Sequence, residues 1–142
     1  MLFGKRNQVV KRILIVEDEP LTAFDNETLI QNAGYDVVAT RDNVTDALAT
    51  LDVAQVDLII ADVKLAGKRN GVDLAREAGK RGVPVLLATG YCPPEAMEVS
   101  IGCLMKPYDK VLKEAIRAVG DHLQGLEPRL PKGLELFPLR SE

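Results

Sequence analysis

Five short, nearly continuous apolar runs recur along the chain, and each is followed by a stretch with helical spacing. The runs cover residues 9–16, 35–40, 56–61, 83–88 and 101–105. The helical stretches cover residues 21–33, 44–53, 71–79, 95–99 and 108–123, the fourth of them short and opened by Pro93 and Pro94. Continuous apolar runs of this length read as strands buried on both faces. Strands that alternate with helices need crossover connections, which dictates a parallel sheet with helices on both sides. Gly34 after the first helical stretch and Asn43 before the second act as stop and start signals. The predicted architecture is α/β, a flavodoxin-like (βα)5 doubly wound five-stranded sheet of order 2-1-3-4-5.

The pattern occupies residues 9–124, with 1–8 as an N-terminal extension. Residues 125–142 contain three prolines and two glycines and lack periodicity, so they read as a tail. Their apolar residues Leu134, Leu136, Phe137 and Leu139 are available to dock on the body or on a partner. A net charge of -3 gives no electrostatic reason to expect a nucleic-acid partner, which would normally call for a basic face. Lys5, Arg6, Lys11 and Arg12 read as a solvated lead-in to the first strand. No apolar segment is long enough to span a membrane. Cys92 and Cys103 lack metal-ligand or redox spacing and read as two free thiols, which points to a reducing, cytoplasmic setting. His122 has no partner pattern. Nothing sets the oligomeric state beyond monomer or weak homodimer.

In a sheet of this kind, ligands bind beyond the carboxyl ends of the strands. Those ends carry Glu17 and Asp18, then Asp62, Thr89 and Lys106. Taken singly, the acidic pair reads as a helix cap, Asp62 and Thr89 as turn residues, and Lys106 as a surface lysine. Their occurrence at successive strand ends points instead to one crevice. Three carboxylates there repel one another unless a cation intervenes, and a hard ion such as Mg²⁺ suits oxygen donors. An aspartate beside such an ion can act as a covalent nucleophile toward phosphorus. Lys106 and Thr89 would then meet the phosphoryl oxygens.

The segments ILIVEDEP, LIIADVKL, LLATGY and LMKPY, in this order and spacing, resemble the receiver domain of two-component response regulators. The resemblance covers about residues 11–123. It implies that Asp62 is the phosphoacceptor, Asp18 a direct Mg²⁺ ligand and Glu17 a ligand through water. It makes the backbone carbonyl of Lys64 a further ligand, Thr89 the switch hydroxyl and Lys106 the phosphate-pairing lysine. It also implies a histidine kinase or phosphotransfer protein as donor, and no classical enzyme activity beyond self-catalysed transfer and dephosphorylation. With no effector domain, output is expected through a protein contact on the fourth helix, fifth strand and fifth helix, or as a phosphate sink.

Receivers typically carry Tyr or Phe three positions before the lysine; Cys103 stands there. The segment Leu87-Ala88-Thr89-Gly90-Tyr91-Cys92 is similar to the Phe-Ala-Thr-Gly subgroup, whose members often lack that aromatic. Tyr91 is then either an alternative signalling ring or a residue lining the entrance. Cys103 is either a small core residue or a redox sensor. The Lys64 side chain either reaches over the phosphoryl group or points to solvent. Two other readings stand beside the receiver: an Mg²⁺-dependent aspartyl-phosphate phosphohydrolase, and a degenerate receiver that works without phosphorylation. Phosphohydrolases of that kind carry a carboxylate two residues beyond the nucleophile, where this chain has Lys64.

Overall fold

A computed structural model describes residues 9–139. The extension at 1–8, with Lys5 and Arg6, lies outside the described residues. The elements run in chain order as β1 (Arg12–Val16), α1 (Pro20–Asn32), β2 (Asp36–Arg41), α2 (Val44–Val53), β3 (Leu58–Ala61) and α3 (Gly71–Lys80). They continue with β4 (Val85–Thr89), α4 (Ala96–Val99), β5 (Gly102–Met105), α5 (Leu112–Leu123) and β6 (Leu134–Leu136). The sheet order is β2-β1-β3-β4-β5-β6, and the first five strands are parallel, as the alternating pattern predicts.

Side chains of successive strand residues leave the sheet on opposite faces, so each apolar run feeds two cores. Ile13, Ile15, Leu58, Ile60, Leu86, Ala88 and Leu104 meet Ile30 of α1 and Leu112, Ile116 and Val119 of α5. Leu14, Val16, Ile59, Ala61, Val85, Leu87 and Cys103 meet Ala47 of α2, Leu74, Ala75 and Ala78 of α3, and Ala96 of α4. Burying each larger aliphatic side chain contributes about 1.5–3 kcal/mol, which is why a central strand tolerates no polar position. The strands begin and end on polar groups. The Asp57 carboxylate accepts from the backbone N–H groups of Lys11 and Arg12, both at 2.9 Å, and so pins the start of β1.

The last helix starts at Leu112, four residues later than its spacing predicts. Tyr108 is drawn out of the helix into the core, where its hydroxyl accepts from Asn26 Nδ2 at 2.8 Å. The segment before α5 is then a turn closed by Val111 N–H on the Tyr108 carbonyl at 3.0 Å.

Two expectations are corrected. The segment read as an aperiodic tail supplies a sixth strand, antiparallel to β5, with Gly102 opposite Leu136 and Leu104 opposite Leu134. Only three residues pair, too few for a visible period, but they bring Leu134 and Phe137 into the two cores. Gly102 permits this: a Cβ there would strike the Glu135 carbonyl. His122, which has no partner pattern in the sequence, bonds through Nε2 to the Phe137 carbonyl at 2.6 Å and ties α5 to the segment after β6. The second correction concerns the cysteines. They are not free thiols: Cys92, in the loop after β4, is disulfide-bonded to Cys103 of β5, with Cα atoms 6.0 Å apart. Adjacent parallel strands bring residues 11 apart in sequence side by side, a proximity that linear spacing conceals. The free-thiol argument for a reducing compartment falls with it. No helix among the described residues is long and apolar enough to cross a membrane.

Candidate functional site

Four strand ends meet at the carboxyl edge of the sheet. The backbone N–H of Asp62 donates to the Val16 carbonyl at 3.0 Å, which sets the residue after β3 beside Glu17 and Asp18 after β1. The N–H of Lys106 donates to the Thr89 carbonyl at 2.9 Å and fixes the residue after β5 against the end of β4. These ladder bonds explain why the chemistry-bearing side chains converge. Each lies at the end of a strand, or one or two steps past it, and the register of each strand is held by its neighbour.

Asp62 is the centre of the arrangement. Its Oδ2 accepts from Lys106 Nζ at 2.7 Å, and its Oδ1 lies 3.4 Å from the backbone N–H of Lys64. The Asp62 side chain is 11% exposed and that of Lys106 37%, so the carboxylate sits inside a shallow rim reached by the lysine. Glu17 is buried, and its Oε2 accepts from the Glu19 N–H at 3.1 Å. Burial pushes the Glu17 carboxyl above its ordinary 4.5; the Glu19 amide opposes this, while the charges of Asp62 and Asp18 add to it. Burial alone would lower the Lys106 ammonium, but its hydrogen bond and charge pairing with Asp62, reinforced by Glu17, raise it above 10.5. Negative charge in the crevice contributes to both shifts, but it only adds to the effect of burial at Glu17, whereas at Lys106 it overcomes burial.

Glu17 allows a pH test. Its raised folded value disfavours the ionised form in the native state, so stability falls as pH rises from 4.5 through the folded value. Glu17→Gln keeps an acceptor for the Glu19 amide and removes the charge. Urea unfolding should show the variant gaining stability over the wild type as pH rises above 4.5, the gain shrinking to nothing below that pH. A gain that is constant with pH would refute this account.

The other candidates divide. Asp18 is exposed on the same edge and is felt electrostatically by Glu17. The acidic residue that caps α1 is the next one, Glu19, whose Oε1 accepts from the N–H groups of Leu21 at 2.9 Å and Thr22 at 3.2 Å. Glu17 and Asp18 are therefore released from capping. The Thr89 hydroxyl donates to the Tyr91 carbonyl at 3.1 Å, and the Tyr91 N–H approaches it at 3.3 Å, a local turn within the segment after β4. Tyr91 is 69% exposed. Lys64 is exposed, with its amide engaged at Asp62. Cys103 is buried in the core that α2, α3 and α4 cover, joined to Cys92. Among the described residues, no group of three or more His, Cys, Asp or Glu side chains is gathered as a metal cluster. The cation paired with Asp62 is Lys106.

Two contributors carry no obvious mark in the sequence. Gly71 opens α3 directly behind Asp62: a Cβ there would strike the Asp62 carbonyl and come within 3.0 Å of Val63 Cα. Its N–H also donates to the Val63 carbonyl at 2.7 Å. The available signal is Asn70-Gly71, a helix cap followed by a glycine at the first helical position, but only the fold shows what the missing side chain makes room for. Tyr108 adjoins the crevice, its hydroxyl raised by burial against the Asn26 bond that lowers it, and it also senses Glu17, Lys106 and Asp62.

Comparison with known proteins agrees with this geometry. The family model of the response regulator receiver domain matches residues 13–117. The chain is 27% identical over 140 residues to the transcriptional regulatory protein PdtaR of Mycobacterium tuberculosis, covering 94% of this chain and 63% of that protein. It is 37% identical over 81 residues to the phyllosphere-induced regulator PhyR of Methylorubrum extorquens, covering 56% of this chain and 30% of PhyR. The chain thus spans less than two thirds of the length of these curated relatives. Among solved structures, the response regulator TrrA of Thermotoga maritima, in complex with Mg²⁺-BeF, superposes with a TM-score of 0.67 at 27% identity, over 78% of this chain and 99% of that one. Since the matched segment runs from β1 into α5 and carries every strand end of the crevice, the chain belongs to the response regulator receiver domain family of two-component signalling.

Proposed function

We propose that Asp62 accepts a phosphoryl group from the phosphohistidine of a partner histidine kinase or phosphotransfer protein. The observation that carries this reading is the 2.7 Å contact of Lys106 with a carboxylate only 11% exposed, at the end of a central strand. A carboxylate oxygen of Asp62 attacks phosphorus, the P–N bond to the donor breaks and a P–O bond forms. Lys106 follows the charge from the carboxylate to the phosphoryl oxygens, and the low exposure of the site strengthens that pairing. For Thr89 to reach another phosphoryl oxygen, its hydroxyl must leave the Tyr91 carbonyl. That exchange of partners makes the segment after β4 the element that reports phosphorylation.

Mg²⁺ fits the donor set. The ion takes one or two carboxylates and keeps several waters, so it does not require a closed protein cage. Asp18, Asp62 and the Lys64 carbonyl would hold it, with Glu17 acting through water, and the mutual repulsion that raises Glu17 would fall when it binds. When bound, the ion neutralises charge on the transferring group. The domain is regulatory, and a cytoplasmic location accords with a kinase as donor.

The test is incubation of the protein with Mg²⁺ and acetyl phosphate, followed by mass spectrometry of the intact chain and its peptides. One added phosphoryl group on the peptide bearing Asp62 is the expected result. Absence of any label would favour a receiver that works without phosphorylation, and rapid multiple turnover of a small phosphoester would favour a phosphohydrolase. The exposed Lys64, standing where such a hydrolase carries a carboxylate, supports the receiver.

A further inference from the structure

We propose that Cys92 and Cys103 form a reversible thiol–disulfide exchange site whose state sets the freedom of the β4–α4 segment; its coupling to signalling rests on the receiver reading above. The chain has two cysteines, and the fold places both in one cross-link. Their Cα separation of 6.0 Å lies within the span that an ordinary disulfide bridges without moving backbone. The bond closes the connector from the loop after β4, through α4, into β5 as one ring.

The location gives the bond its consequence. Gly90 and Tyr91 lie between Thr89 at the end of β4 and Cys92, and the Thr89 hydroxyl is bonded to both the carbonyl and the N–H of Tyr91. A covalent tie from Cys92 to the sheet therefore holds the peptide that Thr89 must release. Beyond Cys92, the chain is weakly held without this tie. Pro93 and Pro94 come next, and α4 has four residues with no side-chain cap. A short helix of this kind is the low-stability segment of the fold.

The two sulfurs are unequal, which gives the exchange a direction. Cys103 is 1% exposed and packed with Leu87 and Ala96, whereas Cys92 is half-buried in the surface loop. A thiolate of a small thiol or of a dithiol protein attacks Cys92 Sγ, the Cys92–Cys103 bond breaks, and Cys103 leaves with the electron pair and takes a proton. A second thiolate then attacks the mixed disulfide and releases Cys92 as a thiol. Two thiols are oxidised to a disulfide as the protein disulfide is reduced, and oxidation reverses the steps with a small-molecule disulfide as oxidant. The reduced Cys103 thiol is a small hydrophobe suited to the apolar cluster around it, so the core tolerates both states.

The test equilibrates the full chain with reduced or oxidised glutathione and counts thiols by alkylation and mass. Amide hydrogen exchange across residues 90–99 is then measured with and without Mg²⁺ and beryllofluoride. Reduced protein should carry two alkylated thiols and exchange this segment on the order of tenfold faster than oxidised protein before any phosphoryl analogue is added. Beryllofluoride should then change the exchange of the segment in reduced protein and leave it unchanged in oxidised protein. Cys92→Ser should behave as the reduced form in either buffer. Two alkylatable thiols persisting in oxidised glutathione, or equal exchange in both forms, would overturn the proposal. Redox-dependent exchange with no beryllofluoride response and no label on Asp62 in either form would uphold the exchange site and defeat the phosphoacceptor reading.

Discussion

Asp62→Asn is expected to abolish phosphoryl uptake from acetyl phosphate while leaving the fold in place. The amide is nearly isosteric, so the packing under β3 is unchanged, and its oxygen still accepts from Lys106. What disappears is the nucleophile, because a neutral amide oxygen does not displace an amine or carboxylate from phosphorus. The stability change should stay within about 1 kcal/mol, since the ion pair with the partly exposed Lys106 is screened by solvent and relief of repulsion on Glu17 opposes its loss. Intact mass after incubation, set beside urea unfolding, checks both halves. Label retained by the variant would move the acceptor to another residue.

Gly71→Ala should be the most destabilising single methyl in the molecule's site region. The added carbon meets the Asp62 carbonyl and the Val63 backbone, neither of which can swing aside as a side-chain tip would. Either the first turn of α3 lifts, breaking the 2.7 Å bond from Gly71 N–H to the Val63 carbonyl, or the segment after β3 shifts and carries the acceptor with it. A cost of about 3 kcal/mol, read as a fall in Tm of roughly 10 °C, is expected for such overpacking. Phosphorylation should weaken as well, because Asp62 moves relative to Lys106. Gly79→Ala supplies the control: the same methyl in the same helix meets no atom within 4 Å, so Tm should hold or rise slightly. Equal Tm values for the two variants would remove the argument from close approach.

The disulfide and the sixth strand show where linear reading stops. Cys103 is legible as the residue in place of a switch aromatic, but its pairing with Cys92 depends on two strands lying side by side. Likewise, Leu134 and Leu136 have strand character over too few residues to announce a strand, and they acquire a role only because β5 would otherwise leave an open edge. Glu19 as the cap of α1 is a third case. Three acidic residues in succession are equivalent until the helix axis selects which carboxylate reaches the amides of Leu21 and Thr22.

The linear pattern is enough to dictate the parallel α/β order and the convergence of Glu17, Asp18, Asp62, Thr89 and Lys106. Both follow from apolar runs whose period and length admit one kind of sheet, and from polar residues that stand just beyond each run. Packing in three dimensions selects the partners: Lys106 on Asp62, Thr89 held by Tyr91, Gly71 making room behind the acceptor, Cys92 joined to Cys103. Lys106 and Asp62 lie 44 residues apart along the chain, and the pairs nearer in sequence still depend on how strands, loops and helices are set against one another. Such placements are set by the packing of both cores together, which no local pattern encodes.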